Sequence, residues 1–222
     1  MTEPVVFVVP IIAGALVLVG GVIYATRKAE QRRAAALADV ALRLGFAYLA
    51  LIPEEQLAAL GAFHLFKRGH SRHARSVMRG KSGDAELVLM DYQYTTGGGK
   101  DSHTYRQTVA VYPGAGRSLP EFTLAPEHFW HKIGGLLGYQ DIDFEASEAF
   151  SKQYLLRGPD ETAIRAAFGA EPLGFFAQNP GWSVESQGGA LAIYRSATRC
   201  KPEEIQPFIA EVDAVRRALA RG

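Results

Sequence analysis

The chain has 222 residues, 48% of them hydrophobic, and a net charge of +1 from 24 Lys/Arg and 23 Asp/Glu. This is the composition of an ordinary globular protein. Its single cysteine, Cys200, excludes an internal disulfide and a Cys-based structural zinc cage, and fits a reducing compartment. The near-neutral total hides an asymmetry. Residues 1–83 hold 11 Lys/Arg against 5 Asp/Glu, whereas residues 84–222 hold 13 against 18.

Val5 to Tyr24 contains no charged or amide side chain, and Arg27, Lys28, Arg32 and Arg33 follow it. About 20 apolar residues at ~1.5 Å each match the ~30 Å hydrocarbon core of a bilayer. Thirteen of the twenty are Val, Ile, Leu or Phe, and each favours insertion by roughly 0.3–0.6 kcal/mol near the helix centre. A cleaved signal is disfavoured, because no Lys or Arg precedes the run and the run is too long. With the basic flank held inside, the expected topology is an uncleaved single-pass anchor, N-terminus out. The expected divisions are an anchor over 1–26, a juxtamembrane helical segment over 27–62 and an α+β cytoplasmic domain over 63–222.

Leu37, Val40, Ala41 and Leu44 form one apolar stripe, which predicts a helix over 34–44 ended by Gly45. Pro53-Glu54-Glu55 predicts a second short helix running to Leu60. Strands are predicted within 75–79, over 86–94 and over 104–112, joined by a turn at 81–84 and a glycine loop at 95–103. A fourth is expected near 120–124. A helix is predicted over 127–137 and a strand over 154–157. Asp160 is the expected N-cap of a helix to Phe168, and a short helix is expected over 173–177. A hairpin turns at Gln187-Gly188-Gly189, and Pro202 opens a final helix to Leu219. The fold class is α+β, an N-terminal transmembrane helix followed by an antiparallel sheet domain with flanking helices.

No catalytic set emerges. Gly97-Gly98-Gly99-Lys100 lacks the spacing of a P-loop and joins two strands. Gly69-His70-Ser71-Arg72-His73 departs from a nucleophile elbow, since His73 stands where glycine is needed. His128 and His131 share a predicted helix face but have no assignable third ligand, so no metal or other cofactor is assigned. The acidic residues Asp141, Asp143, Glu145 and Glu148 lack a calcium-loop pattern and are expected in a solvated loop, with pairing to the basic segment as an option.

The functional candidates are the cations of the segment 67–81: Lys67, Arg68, Arg72, Arg75, Arg79 and Lys81. Held near an anionic leaflet, each is worth about 1 kcal/mol. The segment has no aromatic residue to stack on bases, which disfavours nucleic acid.

Leu44-Gly45-Phe46, Leu65-Phe66-Lys67-Arg68-Gly69-His70, Met90-Asp91-Tyr92-Gln93-Tyr94, Tyr105-Arg106-Gln107-Thr108-Val109 and Leu119-Pro120 resemble a group of bacterial single-pass membrane proteins of unknown function. Asp141-Ile142-Asp143-Phe144, and Phe150 before Tyr154-Leu155-Leu156, belong to the same resemblance, and from Asp141 onward the chain also resembles the DUF3137-type membrane-associated family. The resemblance implies a bacterial inner-membrane location and carries no functional residue. The expected function is therefore a membrane-anchored module that binds a protein partner or anionic lipid. The alternatives are an enzyme with an unrecognised site, metal-assisted through His128 and His131, or a structural subunit of a membrane complex.

Overall fold

The computed structural model describes residues 5–58, 62–127 and 141–221, with the side chains of the first helix from Val17 onward. That helix, α1, runs unbroken over Val5–Leu44. It stops at Gly45, whose φ of +69° admits a left-handed residue. The amide of Phe46 donates to Ala41 O at 2.8 Å and that of Gly45 to Leu42 O at 3.1 Å, so two of the last carbonyls are satisfied. Among the described residues no helix is long and apolar enough to cross a membrane. The side chains of residues 5–16, most of the apolar stretch, lie outside those described.

The remaining elements follow as β1 (Ala47–Ile52), α2 (Glu54–Ala58), α3 (His64–Lys67), β2 (His70–Ser82), β3 (Ala85–Thr96), β4 (His103–Tyr112) and β5 (Phe122–Pro126). Then come α4 (Glu148–Ser151), β6 (Tyr154–Arg157), α5 (Glu161–Ala167), α6 (Ala170–Gln178), β7 (Ser183–Gln187), β8 (Ala190–Tyr194) and α7 (Ile205–Leu219). The described strands form one open antiparallel sheet of eight, ordered β1-β2-β3-β4-β8-β7-β5-β6. The local signals behave as their chemistry dictates. The Asp160 carboxylate accepts the Ala163 amide at 2.9 Å and caps α5. Gly188 and Gly189, both at positive φ, turn β7 into β8.

Strand alternation divides the apolar residues between two faces. One face packs Leu87, Leu89, Ala110 and Ile193 against Leu37, Val40 and Ala41 of α1 and against Phe208, Val212 and Val215 of α7. The other packs Val88, Met90, Tyr92 and Tyr94 under Leu57, Phe63, Leu65 and Phe66. Two covered faces explain why β3 reads as a near-continuous apolar run.

Several expectations change. β1 is a strand that the sequence does not signal, because its edge position leaves Leu49 and Leu51 exposed and gives no clean alternation. It brings the expected 27–62 segment into the main sheet through β1–β2 pairing. β2 is a strand of 13 residues rather than five, with two bulges, at His70/His73 and Arg75/Met78. Ser71 and Ser76 hold positive φ at these bulges. The expected helix over 127–137 and the pair His128 and His131 lie outside the described residues.

Candidate functional site

Two bulges in one strand re-aim its side chains. Arg75 is paired with Asp91 across β3, and Arg79 with Val88. Directly paired residues share a face, so Arg75 faces α1 while Arg79 and Lys81 face the opposite side with the Val88 row. The six predicted cations therefore do not form one surface. Arg68 lies over the Tyr94 ring at 4.9 Å, on that second face, and burial pushes the Tyr94 hydroxyl up to about 12. Arg72 donates to the carbonyl of Lys67 at 3.1 Å, and Lys67 is exposed at the end of α3. Of the six, Arg75 alone lines a cleft between the sheet and α1.

The wall of this cleft is a charge network. Arg33 of α1 grips Asp91 of β3 with both ends of its fork, at 2.8 and 2.9 Å. Arg199, which follows β8, donates to both oxygens of Glu30 at 2.7 Å and to Asp91 Oδ2 at 3.0 and 3.2 Å. Thr108 of β4 donates to Asp91 Oδ1 at 3.2 Å and accepts the Cys200 amide at 2.9 Å. The hydrogen bonds from Arg199 hold the Glu30 carboxyl below its ordinary value. Tyr48 Oη donates to Ala34 O at 3.1 Å and lies 3.2 Å from Ser76 Oγ, tying β1 to α1 and to the second bulge. Helix and sheet are thus fixed to each other by specific polar bonds.

Two carboxylates and two guanidiniums neutralise one another in that wall. Arg27, Arg75 and Arg106 remain as excess positive charge around the opening. Arg106 Nε donates to Gln93 Oε1 at 2.8 Å, which orients its guanidinium. Among the described residues Arg27 and Arg75 make no hydrogen bond or ion pair. His73 lines the inner lobe, held below its ordinary value by burial and then by Arg75 and Arg106, so it is neutral at pH 7. The two lobes have volumes of about 230 and 640 Å³ and share Glu30, Arg75, Arg106 and Arg199. Glu30 lies six residues beyond Tyr24 on α1, which is ~9 Å along the axis.

The chain shares its fold with a mycobacterial protein. The crystal structure of the mycobacterial trehalose monomycolate transport factor A, TtfA, matches with a TM-score of 0.59 and 11% identity, over 84% of this chain and 93% of that one. At that identity the likeness is one of fold. No protein-family model and no curated protein matches the chain.

Sequence reasoning missed Arg106, Arg199, Glu30, Asp91 and His73 as parts of one site. Glu30 and Arg199 are 169 residues apart, and only strand order brings them together. A partial signal is present: Arg106 is the one Lys, Arg, Asp or Glu of β4, and Asp91 the one within residues 87–96 of β3. Ser71 lies on a bulge of β2, not at a strand-to-helix turn, 3.1 Å from the adjacent His70 ring. The acidic loop does not pair with the basic segment among the described residues. Asp141 instead accepts the amides of Ile142 and Leu156 at 3.1 and 3.0 Å, and Glu148 pairs with Lys152.

Proposed function

We propose that this chain is a single-pass protein of a bacterial inner membrane, N-terminus out, whose cytoplasmic α+β module binds anionic lipid at the leaflet surface in a lipid-transport process. The observation that carries this reading is the cationic cleft beside α1, ~9 Å along the helix from the end of its apolar stretch. A cation at that depth lies about one Debye length from the headgroups and attracts anionic ones. The common fold with a transport factor supports a role near lipid handling. Binding of a protein partner is the second reading. Its support is β1, an edge strand with one side unpaired among the described residues and with exposed Leu49 and Leu51.

The test uses the full chain in bacterial membranes. An alkaline wash should leave it in the membrane fraction. A photoreactive residue at position 75 should capture anionic lipid in preference to zwitterionic lipid. Release by alkali would remove the anchor. Equal capture of both lipids would remove the lipid reading and move the search to partners at β1.

A further inference from the structure

We propose that the cleft is a site for one phosphate-type oxyanion, a phosphomonoester or phosphodiester, held between Arg75 of β2 and Arg106 of β4 with Arg27 of α1 at its mouth. The proposal deepens the reading above and rests on it only for the source of the ligand. Three features of the site argue for it.

The first is charge already accounted for. Glu30 and Asp91 are fully engaged by Arg33 and Arg199. They offer no free carboxylate to a cation, and they form no ion pair with Arg27, Arg75 or Arg106, although Glu30 attracts Arg106 at longer range. The second is aim. The bulge at Arg75/Met78 puts Ser76 at φ +49°, a left-handed conformation that costs a non-glycine residue of order 1 kcal/mol. The distortion leaves both Arg75 and Ser76 lining the cleft. The third is orientation. Gln93 fixes Arg106 through Nε and leaves its terminal nitrogens for a ligand, the fork geometry that suits a tetrahedral oxyanion. The cleft opens beside the helix, and lobes of about 230 and 640 Å³ admit a headgroup-sized ligand.

The experiment titrates the detergent-solubilised full chain with inorganic phosphate, glycerol 3-phosphate and a water-soluble short-chain phosphatidic acid. Arg75→Gln and Arg106→Gln are compared with Arg79→Gln and Lys81→Gln, which alter the opposite face. Thermal unfolding of each variant confirms that the fold is kept. All three ligands should compete for one site per chain. The first two variants should each weaken binding about fivefold or more, the loss of one cation near an anionic group, and the other two less than twofold. Tighter binding of the lipid than of glycerol 3-phosphate identifies a lipid headgroup as the source, and equal affinity a soluble phosphate compound. Lipid binding that phosphate does not displace, or that all four variants weaken alike, overturns the site and leaves leaflet binding standing. No binding of any of the three overturns both.

Discussion

Asp91 is the residue on which the junction between α1 and the sheet turns. It is 7% exposed and meets Arg33 and Arg199 together. Asp91→Ala would leave two guanidiniums facing one another beside α1. Breaking a buried pair costs 3–5 kcal/mol, and the partial exposure of both arginines reduces this to about 2–3 kcal/mol. Urea unfolding should show a loss of that size, and a loss under 1 kcal/mol would mean that the network does not fasten the helix. His73 gives a second prediction. Arg75 of its own strand and Arg106 of β4 face it as cations, with Arg199 and the carboxylates Glu30 and Asp91 on the same cleft wall. Burial and those arginines depress its folded value below 6.5. The unfolded chain then binds the proton first, so stability falls as pH drops through 6.5 towards the folded value. His73→Gln should flatten the stability slope between pH 7 and 5.5. A bound phosphate should raise the His73 titration midpoint seen by NMR, and no movement would separate His73 from the site.

At the scale of elements, two glycines separate backbone conformation from steric contact. Gly45 ends α1 at φ +69° with open space where a Cβ would point. Gly45→Ala should cost only the left-handed penalty, about 1 kcal/mol. Gly69 enters β2 at φ +59°, and a Cβ there would stand 2.0 Å from Thr95 O. Gly69→Ala carries that steric overlap as well and should cost about 3 kcal/mol or more, because backbone must move. Equal thermal shifts for the two variants would show that the start of β2 yields easily. The buried Glu185 of β7 supports the same region. It accepts the amides of His64 and Leu65 at 2.6 and 3.1 Å and the Tyr194 hydroxyl at 3.0 Å, and burial raises its carboxyl above the ordinary value. It secures the N-terminal amides of α3, a helix of four residues, from a strand more than a hundred residues away.

At the scale of the molecule, α1 packs into the core and in the proposed topology is also the anchor, so in that topology helix length sets the height of the cleft above the membrane. Seven alanines inserted after Tyr24 would add ~10 Å, about two turns, which exceeds the Debye length of ~8 Å at physiological salt. Capture of anionic lipid from position 75 should then fall severalfold, while affinity for soluble glycerol 3-phosphate stays unchanged. Unchanged lipid capture would mean that helix and module tilt together in the bilayer and that helix length does not set the height.

What the chain determined by itself was the set of local decisions. The apolar stretch and its basic flank, the glycine stop at 45, the Asp160 cap, the paired glycines at 188–189 and the α+β class all follow from side-chain chemistry acting within a few residues. Tertiary structure decided the rest, because it depends on pairings that no local pattern encodes. An edge strand without alternation became β1. Bulges in β2 split one run of cations between two faces. Strand order brought Glu30, Asp91, Arg106 and Arg199 from four distant places into one cleft. Charge density along a sequence shows where cations occur. Only the fold, by neutralising some against the carboxylates of Glu30 and Asp91 and leaving others open, determines which of them are available to bind.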